Sequence, residues 1–242
     1  MSCWSKNTER WIISRQWGRS DLKKIGAITI GQAPRTDILQ DIEPILGPDV
    51  VLIQAGALDT MTLDEVRSLR PDGQGNTLVS RMRDGTAVTL QEQKILPLIQ
   101  QRIVELEEKG VSAILLMCTG EFPETFVSHV PLIYPSKVIC NIIAALNNVR
   151  SIGVITPAAD QIPDIEKKWG RIVPKVVPVL WNPYLEKTSG TAVAQLREAH
   201  VDLAVMDCFG YSREMSAYAS TAIGKPVILS RSIAVRMLLE IV

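Results

Sequence analysis

The 242-residue sequence has no excess of either charge, since 26 Lys and Arg balance 26 Asp and Glu. No net field therefore draws it to nucleic acid or to an anionic membrane surface. No apolar run approaches the ~20 residues of a spanning helix, and Met1 to Lys24 lacks the apolar centre of a signal peptide, so a cytoplasmic location without membrane contact is expected. Histidine is scarce: His129 and His200 have no second ligand at metal spacing, which argues against a zinc site. The four cysteines, Cys3, Cys118, Cys140 and Cys208, show no C-x-x-C spacing, and reduced thiols are expected.

What is present is a pattern used twice. Ser112-Ala-Ile-Leu-Leu-Met-Cys118-Thr-Gly120 and Asp202-Leu-Ala-Val-Met-Asp-Cys208-Phe-Gly210 share one shape. Each reads as a buried parallel strand running into a thiol, then a glycine turn and a helix. A side chain there sits at the carboxyl edge of a sheet, where open α/β proteins bind ligands. A free cysteine ordinarily behaves as a small buried hydrophobe. The matched context singles these two out, whereas Cys140, among Ile139, Ile142 and Ile143, reads as core.

The rest of the chain repeats as well. Lys24-Ile-Gly-Ala-Ile-Thr-Ile-Gly31 returns as Ser151-Ile-Gly-Val-Ile-Thr-Pro-Ala158, and Pro131-Leu-Ile-Tyr-Pro-Ser136 corresponds to Pro226-Val-Ile-Leu-Ser230. Cys118 lies 92 positions after Gly26 and Cys208 lies 55 after Gly153; the difference of 37 matches a segment found only in the first half. That segment contains a hairpin, Leu78 to Arg83 and Thr86 to Leu90 around Asp84-Gly85, a dipeptide that tolerates positive φ at both corners. The fold class expected is α/β: two similar doubly wound parallel-sheet domains related by a pseudo-twofold axis, with a hairpin insertion in the first. Residues 1–23, with Trp4, Trp11 and Trp17, read as an extension outside the fold. The first domain is expected over 24–135 plus 231–242 and the second over 136–230. The longest helical pattern, Gln91 to Lys109, holds Pro97, which either kinks it or marks a start near Lys94. Gly73-Gln-Gly75 follows no strand and carries little weight as a nucleotide loop.

At these residues the chain resembles the AroM family, through Ile28-Thr-Ile-Gly31 with Pro34, Leu115-Leu-Met-Cys-Thr119, Tyr134-Pro-Ser136, Val154-Ile-Thr-Pro157 and Met206-Asp-Cys-Phe-Gly210. It is more distantly similar to the aspartate/glutamate/hydantoin racemase superfamily. That resemblance implies one cysteine from each half on either side of a substrate α-carbon. Amino-acid racemases carry Cys-Asn-Thr at the first thiol, where this chain has Cys118-Thr119-Gly120. They carry Gly-Cys-Thr-His at the second, where it has Asp207-Cys208-Phe209-Gly210.

The expected activity is cofactor-independent racemisation, isomerisation or decarboxylation beside the carboxylate of a small acid, with Cys118 and Cys208 as the acid/base pair. A thiol at a helix N-terminus gains stabilisation for its thiolate. Enolate charge would meet the loops after the strands: Gln32, Ala33 and Arg35; Thr119 and Gly120; Thr156, Pro157 and Ala158; Phe209, Gly210 and Tyr211. Arg81 and Arg83 on the hairpin are further candidates for a substrate carboxylate. Asp207 is expected to point away from Cys208, on the other side of its strand. No cofactor or metal is implied, and a homo-oligomer is compatible with the chain. Two other readings stay open: a ligand-binding or regulatory protein that kept the cleft without turnover, and a single-thiol transferase or hydrolase using His129 as base.

Overall fold

The computed structural model describes residues 22–73, 75–123 and 125–242. The extension expected over 1–23 lies almost wholly outside the described residues.

The first half runs β1 (Lys23–Thr29), α1 (Thr36–Leu46), β2 (Val50–Gly56), α2 (Leu63–Arg67), the strands β3 (Thr77–Arg81) and β4 (Ala87–Gln91), α3 (Glu92–Glu108), β5 (Ala113–Leu116) and β6 (Leu132–Ile133). The second runs α4 (Pro135–Ala144), β7 (Ser151–Thr156), a single 3-10 turn, α5 (Ile162–Gly170), β8 (Lys175–Leu180), α6 (Gly190–Glu198), β9 (Leu203–Met206), α7 (Arg213–Ile223), β10 (Val227–Leu229) and α8 (Ser230–Leu239). Two four-stranded parallel sheets result, in the orders β2-β1-β5-β6 and β8-β7-β9-β10. Position for position these are one plan.

Register makes the duplication quantitative. Gly26 pairs with Ile114 and Gly153 with Ala204, each partner four residues before its cysteine. Both glycines are required by close approach of a helix: a Cβ on Gly26 would lie 2.9 Å from Leu106 Cδ1, and one on Gly153 would lie 2.6 Å from Leu196 Cδ2. Those two leucines each precede their cysteine by twelve residues. Strands β5, β7 and β9 are buried along their whole length, because helices cover both faces of each sheet, and so they read as unbroken apolar runs.

The two sheets exchange their last helices. Ile139 and Ile143 of α4 pack with Ile152, Val154 and Trp169 on the second sheet, while Ala234, Val235 and Leu238 of α8 pack with Ile25, Ile38 and Leu115 on the first. Phe209, from the loop after β9, also enters the first sheet's cluster beside Met117. Each half therefore closes part of the other's core.

Three local expectations are corrected. Among the described residues no helix follows Cys118 directly: those between Gly120 and β6 are irregular, so none supplies a helix N-terminus behind that thiol, whereas α7 begins five residues after Cys208. The hairpin closes through a longer loop, with Met82 N–H donating to Thr86 O at 2.8 Å and Gly85 N–H to Met82 O at 3.0 Å. Only Gly85 takes a positive φ, of 90°, because five residues share the reversal that two would have to make alone. Pro97 sits inside an uninterrupted α3, whose Ile95, Ile99, Ile103 and Leu106 stripe holds the helix against the first sheet through the missing N–H.

Candidate active site

Side-chain alternation along the two matched strands fixes the thiols. Ile114 and Leu116 face the cluster built on α3, and Cys118 continues that row; Ala204 and Met206 face the cluster built on α6 and α7, and Cys208 continues that one. Each sulfur accepts the N–H of the glycine two residues on, Gly120 to Cys118 Sγ at 3.4 Å and Gly210 to Cys208 Sγ at 3.3 Å. Both cysteines are free and half-buried, and both line one cavity of about 210 Å³.

Residues from both halves build its walls. The first contributes Asn76, the start of β3 from Thr77 to Val79, Glu92, Thr119 and Gly120. The second contributes Pro157, Gln161, the face of α5 that carries Asp164 and Lys168, and Arg171 just past its end. Gln161 ties the two together, accepting the Thr156 hydroxyl at 2.9 Å and donating to Thr77 O at 3.1 Å. The hairpin is thus a wall of the cavity.

At the back lies a buried ion pair. Lys168 Nζ is 2.9 and 3.1 Å from the two Asp207 carboxylate oxygens and donates to Thr119 O at 3.1 Å, and Trp169 Nε1 donates to Asp207 Oδ2 at 2.8 Å. Asp207 points toward α5 while Cys208 continues the α6–α7 row, as alternation requires, yet both border the same space because they lie just past the end of β9. Three donors on the ammonium find three acceptors, which is what a charge held away from water needs.

Burial pushes the Cys118 thiol up to about 12, against the Gly120 N–H that favours its thiolate. Cys208 is also raised by burial, but the Gly210 N–H, Arg35 and Arg231 act the other way. The two sulfurs are therefore unequal: the charges of Arg35 and Arg231 favour the second as thiolate and that of Asp207 opposes it, while for the first Glu92 opposes the thiolate and Lys168 favours it.

Of the residues singled out by sequence, Cys118, Cys208, Thr119, Gly120 and Pro157 line the cavity, and the others do not. The amides of Gln32 and Ala33 are engaged in the fold, donating to Arg81 O at 3.1 Å and Asp59 Oδ1 at 2.8 Å. Arg35 is buried and bonded to Asp37 at 2.7 and 2.8 Å, with the Tyr184 hydroxyl at 3.4 Å. Arg81 stacks over the Tyr184 ring at 4.7 Å, and Arg83 donates to Ala33 O at 2.6 Å. The Thr156 hydroxyl is committed to Gln161, and Ala158 precedes the 3-10 turn without entering the lining. Phe209 is core, Gly210 lies under Tyr184, and Tyr211 donates to Trp181 O at 2.6 Å. His129 is exposed, its Nδ1 3.0 Å from Glu107 and its ring outside the cavity, which removes the base that a single-thiol nucleophile required.

Lys168, Glu92 and Gln161 are what sequence reasoning missed. The first two had a signal: Lys168 follows Ile165 by three and adjoins Trp169, and Glu92 precedes Ile95 by three, so each places a charge on a buried helical stripe. Among the described residues no three His, Cys, Asp or Glu side chains gather as a metal site needs, and no helix is long and apolar enough to cross a membrane.

The AroM protein family model matches residues 25–242. The chain belongs to the AroM family. No curated protein matches this AroM chain. Among solved structures it is similar to a mutant arylmalonate decarboxylase in a sulfate-associated form, with TM-score 0.60 and 15% identity over 90% of this chain and 92% of that one. An aspartate racemase from Picrophilus torridus aligns with TM-score 0.58 and 13% identity over 90% and 93%, and an allantoin racemase from Pseudomonas fluorescens with 0.60 and 14% over 90% and 89%. At such identities the likeness is one of fold, and the AroM chain shares the two-sheet architecture of these racemases and of the decarboxylase.

Proposed function

We propose that this AroM protein is a cofactor-independent racemase, isomerase or decarboxylase that moves a proton at the carbon beside the carboxylate of a small acid. The observation that carries this reading is that Cys118 and Cys208, at equivalent positions of the two halves, border one cavity. Proton transfer on both faces of a carbon needs one base and one acid on opposite sides, exchanging roles with direction. Cys208, with Arg35 and Arg231 favouring its thiolate, takes the proton from the α-carbon; the Cys118 thiol delivers one to the other face. In racemisation or isomerisation one C–H bond breaks, one forms, and the charge passes from one sulfur to the other; in decarboxylation the C–C bond to a carboxylate breaks, CO2 leaves, and one thiol delivers its proton to the carbon and keeps the charge. The carboxylate would find positive charge in Lys167 of α5, since Lys168 is paired with Asp207 and Arg171 with Glu121.

The same reading takes 24–135 with 231–242 as one domain and 136–230 as the other, consistent with the exchange of α4 and α8, and a cytoplasmic setting. The test is α-proton exchange in heavy water over a panel of small carboxylic acids. The wild type is expected to exchange at least one of them, and Cys118→Ser and Cys208→Ser each to slow it by 100-fold or more. Binding of a carboxylate without exchange, unchanged by either substitution, overturns catalysis in favour of a ligand-binding protein.

A further inference from the structure

The glycines that follow the two thiols are covered in the same way, from equivalent places in the chain. A Cβ on Gly120 would lie 2.9 Å from Leu78 Cδ2, and one on Gly210 would lie 2.7 Å from Pro183 Cγ and 2.8 Å from the Tyr184 hydroxyl. Leu78 belongs to the hairpin between β2 and α3, whereas Pro183 and Tyr184 belong to the segment 181–189 between β8 and α6. That short segment is the second half's counterpart of the hairpin. The two covers differ in chemistry, an aliphatic side chain beside Cys118 and a phenol beside Cys208.

The phenol is held by more than its own segment. Trp181 Nε1 donates to Glu186 O at 3.1 Å and the Tyr184 N–H to Asn182 Oδ1 at 2.9 Å, which folds the segment into a tight turn. From the other half, Arg81 of the hairpin lies over the Tyr184 ring at 4.7 Å and donates to Tyr184 O at 3.3 Å. Among the described residues no carboxylate pairs with Arg81, and its Nε is buried without a partner, so the ring and the carbonyl are what its guanidinium engages. Arg35, fixed on Asp37, donates to the Tyr184 hydroxyl at 3.4 Å. Cys208 lines the cavity, but Tyr184 and Gly210 do not. The phenol thus covers a flank of the Cys208–Gly210 turn outside the cavity, where the Gly210 N–H meets Cys208 Sγ at 3.3 Å. With water excluded there, the charges facing that sulfur, Arg35 and Arg231 for the thiolate and Asp207 against it, act more strongly than they would through solvent.

We propose that Tyr184 is a positioning residue for Cys208: its ring, gripped by Arg81 of the other half, seals the far flank of the Cys208–Gly210 turn, so that the sulfur meets solvent and ligand only from the cavity. Tyr184 acts through the thiol and does not touch the ligand. The inference deepens the proton-transfer reading above, in which Cys208 is the base, but it is measured on the thiol itself and needs no turnover.

The experiment is alkylation of the full chain by iodoacetamide at about pH 8, with labelling of Cys208 and Cys118 resolved by peptide mass spectrometry. Tyr184→Ala should speed labelling of Cys208 about tenfold and leave Cys118 within about twofold, while Tyr184→Phe, which keeps the ring, should stay within about threefold of wild type at both. A merely loosened fold would expose both thiols together. Equal acceleration at Cys118, no acceleration at Cys208, or Tyr184→Phe labelling like Tyr184→Ala therefore overturns the proposal. Should Tyr184→Ala not fold, Arg81→Met frees the ring without removing it and is expected to speed Cys208 labelling about threefold; an unchanged rate overturns the proposal. For any acid whose α-proton exchanges, Tyr184→Ala should lower kcat about tenfold and leave KM within about threefold, and the reverse split counts against it. If no acid exchanges while Cys208 alone is unmasked, the proton-transfer reading fails and this inference stands. Exchange lost in Cys208→Ser, with labelling untouched by Tyr184→Ala, sinks this inference alone.

Discussion

The Thr119 hydroxyl of the first half donates to the backbone carbonyl of Asp207 in the second at 3.0 Å, and Lys168 returns the bond from the second half to Thr119 O. The residues flanking each thiol are thus bolted to the other half. Pseudo-symmetry repeats the relationship in apolar form, with Phe209 packed in the cluster that holds Met117. The separation of the sulfurs is set by these contacts rather than by either sheet alone.

Breaking that bolt on one side should be costly. Lys168→Met leaves Asp207 buried without its cation, and Asp207→Asn leaves the ammonium without its anion; each is expected to cost about 3–5 kcal/mol. Together they should cost less than the sum, because neither charge is then stranded. A double-mutant cycle by urea denaturation measures the difference, and strict additivity would contradict the pairing.

Gly153→Ala sets a Cβ 2.6 Å from Leu196 Cδ2, the far end of a flexible side chain, and is expected to cost about 1–3 kcal/mol. Gly31→Ala is a harder case, since its Cβ would lie 2.1 Å from the backbone oxygen of Arg81. Thermal denaturation should rank Gly31→Ala as the more damaging, and if it folds the hairpin wall must have moved.

The Cys208 thiolate is the base of the proposed exchange, and burial holds that thiol above its ordinary 9.0. Exchange should therefore rise about tenfold per pH unit through the neutral range rather than peak there. Arg35→Met removes a charge that favours this thiolate and should lower exchange at pH 7 about tenfold by raising the thiol further. A pH–rate profile flat from 6 to 8 would exclude Cys208 as the base.

Glu107 carries an acid-sensitive share of stability. Hydrogen bonds from the His129 ring, the Ser128 hydroxyl and the His129 amide hold its carboxyl down at about 2, below the ordinary 4.5. A depressed carboxyl stabilises fully above the unfolded value, and that contribution is lost as pH falls from about 4.5 through about 2. Glu107→Gln should cost about 1–2 kcal/mol at pH 7 and much less near pH 2, as urea midpoints at the two pH values will show.

Strand identity, the duplicated order of elements and the place of both thiols were legible in the sequence because they depend on local periodicity. A parallel strand covered on both faces must be apolar throughout, as Ala113–Leu116 and Leu203–Met206 are, and the glycine four registers back must admit a leucine. The amides of Gln32 and Ala33 were not legible in this sense: nothing in their spacing shows that Arg81 O and Asp59 already occupy them.

By itself, then, the sequence determined two copies of one βα plan and a cysteine just past the same strand of each. Only the tertiary structure decided that Lys168 would answer Asp207 in the dark of the interior, that the hairpin would bring Asn76 and Glu92 to the Cys118 side, and that both thiols would be raised by burial. The physical reason is that periodicity is a property of neighbours along the chain, whereas desolvation and charge pairing depend on which distant segments exclude water together.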